Sequence, residues 1–322
     1  MIDPDRGRAP VAVIANPSSI SCMAQSAGDP RIIYVGSLEH THMGDGPASG
    51  TLSRSLDGGR TWTDITPAGA HDESIWAVAA PPDAPGEVFI GTNHARLFHS
   101  QDHGQNFKEC TAFLDLPGRD RWSFPPPPHI PHVRAITFDP TDPSIMYVGV
   151  EEGGVFRSRN RGLKFEPLNK GIYSDIHALA VDPADARRLY ATTGRGLYRS
   201  ETAGASWKLV SLIRPYVVPL LADTGGVVYT AGAAGPPPTW MAHGADAMLF
   251  VSEDGGCNFR PLAVADGICR GMVMALLQSR MRPDELFAVT TDGKVLRWRP
   301  REDEMVEIAS NLPPAYALGA LP

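Results

Sequence analysis

The sequence predicts an all-β fold built from repeated four-stranded units. Three observations predict it: a short cassette that recurs five times, the even spacing of its copies, and the β-branched runs between them. The cassette reads Ser, any residue, Asp, any residue, Gly, two residues, then an aromatic. Its copies are Ser55-Asp57-Gly59-Trp62, Ser100-Asp102-Gly104-Phe107, Ser158-Asn160-Gly162-Phe165, Ser200-Thr202-Gly204-Trp207 and Ser252-Asp254-Gly256-Phe259. A Ser and an Asp two residues apart can bond nearby backbone N–H groups and hold a tight hairpin turn. The Gly takes the φ > 0 position of that turn. The aromatic opens the next strand and brings a large apolar area. The serines lie 45, 58, 42 and 52 residues apart. Short strands at a period of about 40–50 residues indicate propeller blades.

Each unit opens with a small apolar strand a, an Asp/Pro turn and a β-branched strand b. Strand c, the cassette and strand d follow. The third unit places strand a at 133–138, strand b at 145–150 and strand c at 154–158, with Asp139-Pro140 beginning the turn. Val, Ile, Tyr and Phe suit the pleat, while Pro, Asp and Gly punctuate it. The other units begin near Cys22, Trp76, Ile176, Tyr216 and Met272. The last replaces the cassette with Leu296-Arg297-Trp298-Arg299. The expectation is therefore a six-bladed β-propeller forming one domain over 1–322, with seven blades as the alternative. The leftover segments 11–15 and 315–321 would pair to close the ring and remove a free sheet edge.

The cassette resembles the Asp-box, or bacterial neuraminidase, repeat. That family includes sialidases, other glycosidases, sortilin-type receptors and a photosystem II assembly factor. The resemblance covers nearly the whole chain and implies the propeller fold, with the box on the hairpin between the third and fourth strand of a blade. It implies little about chemistry, because the box is structural there. Sialidases of this kind carry an early Arg-Ile-Pro motif, an arginine triad, a Tyr–Glu pair and an Asp acid. The nearest string here, Arg31-Ile32-Ile33, opens strand b of the first unit, away from the mouth, and no arginine triad is visible.

The 322 residues carry a net charge of −7, which disfavours nucleic-acid and anionic-membrane partners. No apolar run reaches transmembrane length and residues 1–10 lack a signal pattern, so a cytoplasmic location is expected. Cys22, Cys110, Cys257 and Cys269 show no CxxC spacing and read as reduced thiols. No phosphate loop, nucleophile elbow or Rossmann fingerprint occurs.

The extra length falls on one face of such a propeller. The long loops are 38–50, 113–132 and 231–247, and two of them contain proline runs. One-sided, stiffened loops mark a functional mouth. His40 and His42 lie in the first loop, His129 and His132 end the second, and His243 lies in the third. An HxH pair in extended chain can chelate one ion, and imidazole-rich sets suit zinc, iron, copper or manganese. These five histidines are the candidate ligands of a divalent transition metal, against the alternative of solvated loop histidines. His177, at the mouth of an inner strand, Glu152 and Arg134 are the candidate catalytic residues. Trp76, Arg134, His177, Met274 and Met23 are expected to ring the channel.

The expected function is a small-molecule enzyme at this face, a metal-dependent hydrolase or lyase rather than a typical sialidase. The first alternative is a non-catalytic binding or assembly module that takes a protein on the same face. The second is a glycosidase with paired carboxylates drawn from Glu73, Glu151, Glu152 and Asp292.

Overall fold

The structure, a computed structural model, describes residues 19–38, 50–264, 269–279, 282–299, 302, 304–312, 314 and 316–319. Strands dominate. Four sheets are antiparallel four-stranded meanders in sequence order, and a fifth sheet has eight strands. The eight-stranded sheet is two further meanders, 216–264 and 273–309. They join where Ala263 and Val264 pair in parallel with Glu304 and Met305.

The third meander shows how sequence sets structure. Its strands are Val133–Phe138, Met146–Val150, Gly154–Ser158 and Glu166–Pro167, close to the predicted segments. The Asp139 carboxylate accepts from the backbone N–H groups of Thr141 and Asp142 and from the Thr141 hydroxyl, which tightens the first turn. Every residue of the second and third strands is buried. The fourth strand is short and exposed, which blunts the outer edge.

The cassettes fold as the residue types require. Each serine hydroxyl accepts from the glycine N–H four residues on, at 2.8–3.0 Å. The five glycines have φ between 76° and 86°, open to them because they lack a Cβ. Asp57, Asp102 and Asp254 accept from their serine at 2.7–2.8 Å and from the backbone N–H four residues on. The aromatics differ more than expected. Trp207 is buried, and its indole N–H donates to the Leu168 carbonyl of the preceding unit at 2.8 Å. Trp62, expected to be buried, is half-exposed because its indole turns back to the Gly59 carbonyl of its own turn. The last unit makes its turn differently: Glu302 accepts from the Arg299 N–H and the Trp298 indole.

The apolar clusters lie between successive units. One joins Phe89, Phe113, Val148 and Phe156, and another joins Tyr147, Ile176, Leu189 and Trp207. Among the described residues, neighbouring units thus hold together by face-to-face packing. Two short helices occur: Thr111–Leu114 leads into the expected loop 113–132, and Pro237–His243 lies within the expected loop 231–247. No described helix is long and apolar enough to cross a membrane. Residues 11–15 lie outside the described residues, and the described part of 315–321 forms no strand.

Candidate functional site at the channel mouth

The first strands of the six described meanders line one cavity of about 280 Å³. Each breaks register with its neighbour near its start. The breaks leave Ser21, Trp76, Arg134, His177, Val218-Pro219 and Met274 out of the pairing. A bulge re-aims the unpaired side chain, and these residues all border the cavity. Ser21, rather than Met23, takes the place in the first unit, because the register skips between Ile20 and Cys22. A larger groove of about 640 Å³ runs between the fourth and fifth units beside their cassettes. Its lining, including Glu201, Lys208 and Asn258, is largely exposed. At the channel mouth, by contrast, Glu151, Asp175, His132 and His177 are all buried.

Glu151 follows the second strand of the third unit, and its N–H donates to the His132 carbonyl. His132 Nε2 lies 2.8 Å from Glu151 Oε2, and the Arg134 Nε lies 3.6 Å from the same oxygen. Burial opposes charge on Glu151, but His132 and Arg134 outweigh it and hold the carboxyl below its usual range. Burial also pushes the His132 imidazole down, against the pull of Glu151. One arrangement satisfies both directions: a neutral imidazole whose Nε2–H donates to an ionised carboxylate. The His132 ring stacks on Trp76 at 3.6 Å, and Arg134 sits over the other partner of that stack, 5.0 Å from the Trp76 ring.

Asp175 and His177 enter from the first strand of the fourth unit. His177 Nδ1 lies 2.6 Å from the Val217 carbonyl, which can only accept, so the Nδ1 proton is fixed there. Nε2 then points at Asp175 Oδ1, 3.4 Å away. Neither atom has a hydrogen-bond partner, although both are buried. Glu151, Asp175 and His177 are only 5–6% exposed, and each offers a ligand atom within 4.8 Å of the others. Burial disfavours the His177 imidazolium, but Asp175 and Glu151 outweigh it and raise its pKa. Gly194 makes room for the group, since a Cβ there would meet Asp175 Oδ2 at 2.2 Å.

Of the residues picked from sequence, His177 and Arg134 sit at the mouth. Glu152 is beside them at φ 55°, with Oε2 3.4 Å from the Ser174 hydroxyl. Burial and the neighbouring Asp175 raise its pKa. His132 is at the mouth but committed to Glu151. His129 is exposed and bonds the Phe124 carbonyl, and His243 is exposed at the end of its short helix. His40 and His42 lie outside the described residues. Among the described residues, the three-ligand group is not drawn from those histidines but is Glu151, Asp175 and His177. From the sequence, Glu151 stands on the rim as one of four candidate glycosidase carboxylates, and Asp175 is passed over. The signal for Asp175 is positional: it stands two residues before the inner-strand bulge, in Asp-Ile-His order. Cys22 borders the cavity, but burial pushes its thiol up to about 11, which removes it as a nucleophile.

No family model matches the chain, and no curated protein matches it in sequence. Its backbone is similar to that of solved propellers. A GH74 enzyme from Niastella koreensis aligns at TM-score 0.65 and 15% identity, over 90% of this chain and 46% of that one. YCF48, solved bound to D1 peptide, aligns at TM-score 0.62 and 15% identity, over 91% of this chain and 83% of that one. The GH74 xyloglucanase from Xanthomonas campestris aligns at 0.53 and 17%, over 91% and 55%. The chain thus spans less than half of the first of these enzymes and most of YCF48. At such identities the likeness defines the fold class, a β-propeller.

Proposed function

We propose that this chain is a six-bladed propeller of the Asp-box type whose channel mouth is the active site of a hydrolase for small molecules. The observation that carries this is the unpaired, buried pair of Asp175 Oδ1 and His177 Nε2, whose histidine borders the cavity. Buried polar atoms without partners are costly and cluster at sites that bind something. In this reading Asp175 and His177 activate a water. Arg134, held over Trp76, takes the polar or anionic part of the substrate. A cavity of about 280 Å³ suits a compact molecule rather than a polysaccharide. The near-complete burial of Glu151 and Asp175 weighs against a sugar ring between them. The test is turnover of small activated esters, phosphoesters and glycosides by wild type, His177→Gln and Asp175→Asn. Loss on the order of 10²–10⁴-fold in both variants is expected. Turnover that survives both substitutions would overturn the reading.

A second reading is a non-catalytic module that docks a protein or peptide on the same face. It is favoured by the length match with YCF48, 91% of this chain on 83% of that one. Peptide-array binding abolished by Arg134→Ala, with no turnover of any substrate class, would favour it.

A further inference from the structure

We propose that Glu151, Asp175 and His177 bind one divalent transition-metal ion, zinc or a metal of similar ligand preference. The proposal rests on the mouth being the functional site and specifies how that site activates water. Four features of the trio support it. The His177 Nδ1–H is tied to the Val217 carbonyl, which leaves the Nε2 lone pair as the only free function of the ring. Metal-ligating histidines characteristically donate their other N–H to such an acceptor. The Nε2–Oδ1 separation is 3.4 Å. Two ligands on a tetrahedral ion at about 2.0–2.1 Å stand about 3.4 Å apart, whereas a charge-assisted hydrogen bond would draw them to about 2.7–2.9 Å. The ion's other carboxylate donor, Glu151, is itself oriented by His132, and its ligand atom lies within 4.8 Å of the other two. Finally, the Glu151 and Asp175 carboxylates are buried side by side, with ligand atoms within 4.8 Å of each other, and a bound cation would offset the cost of burying both charges. Because His177 borders the central cavity, a fourth position would face it, the open position that a catalytic ion keeps for water.

The test uses the whole chain, produced without a histidine tag and stripped with chelator, then titrated with Zn²⁺ and, separately, Co²⁺. Calorimetry should give one ion per chain, and Co²⁺ should give visible d–d absorption of low-symmetry coordination. X-ray absorption of the zinc-loaded wild type should show one imidazole and carboxylate oxygens at about 2.0–2.2 Å. Asp175→Asn and His177→Gln should each weaken binding at least tenfold, while His129→Ala and His243→Ala, on exposed loop residues, should not. Equal binding by wild type and Asp175→Asn, or loss in His129→Ala instead, overturns the proposal. So does an absorption spectrum with no imidazole shell, which needs no variant to fold. The two readings fail separately. Turnover by stripped protein keeps the hydrolase and removes the metal, whereas a bound ion with no turnover keeps the metal and removes the hydrolase.

Discussion

Trp62 and Trp207 hold the same place in the repeat but have different surroundings. Trp207 is buried against the preceding unit and hydrogen-bonded across it, so Trp207→Ala should cost about 3–5 kcal/mol in chemical denaturation. Trp62→Ala should cost distinctly less, because that ring is half-exposed and bonds only its own turn. Equal losses would show that the indoles act through the turn and not through packing between units. The cassette aspartates set a second expectation. Hydrogen bonds from Thr61 lower the Asp57 pKa to about 2, and those from Asn106 do the same for Asp102. Asp254 is lowered by Asn258. A carboxyl with a depressed folded pKa stabilises the fold above its ordinary value of 3.8 and loses that contribution as pH falls through the folded value. The stability from these turns should therefore drain away between about pH 4 and pH 2. Urea midpoints across that window should slope less in an Asp57→Asn, Asp102→Asn, Asp254→Asn variant. An unchanged slope would place the acid sensitivity elsewhere. At the mouth, Gly194→Ala puts a methyl group into the space of Asp175 Oδ2. The expected result is a large fall in metal affinity and turnover with a small shift in Tm; a normal affinity would show that the turn can yield.

The cassettes were legible in the sequence because their bonds join residues two to four apart, and most strand positions because β-branched runs lie between turn residues. Ser55 to Gly59 and Asp57 to Thr61 are fixed by local chemistry that a reader of the chain can reconstruct. The mouth was legible only in part, because it is assembled by strand bulges and by contacts between units. His177 and Arg134 could be placed by their position in the repeat, but the Val217 carbonyl that fixes the His177 tautomer lies 40 residues away. His132 looked like a loop ligand. Stacking on Trp76 and a bond to Glu151 turn it into a supporting residue. The weakest cassette offers a test at this scale. Thr202 lies 3.3 Å from the Ser200 hydroxyl and presents a single oxygen, where the aspartates present two. Thr202→Asp should raise stability by about 0.5–1 kcal/mol, read from the denaturation midpoint. A loss would mean that the Thr202 contact with Ser206 matters more than the added acceptor.

The molecule is held together by repeated packing between neighbours, and so the strength of each seam is a local property. In the first three units the outermost strand is only two residues long: Thr63–Asp64, Lys108–Glu109 and Glu166–Pro167. Among the described residues, those rims pair with no other sheet. The last two units differ, since Arg260–Val264 and Glu304–Ala309 meet edge to edge and make one ladder of eight strands. Their apolar side chains also form a single cluster running from Val218 to Met305. The pairing works as a clasp. One pair of blades cannot swing apart without breaking main-chain bonds at the rim as well as side-chain contacts inside. In native-state hydrogen exchange, amides across 216–264 and 273–309 should therefore open as one cooperative block, while the second, third and fourth units open singly. Such a propeller would breathe from one side only, and its mobile arc would be the one opposite the clasp.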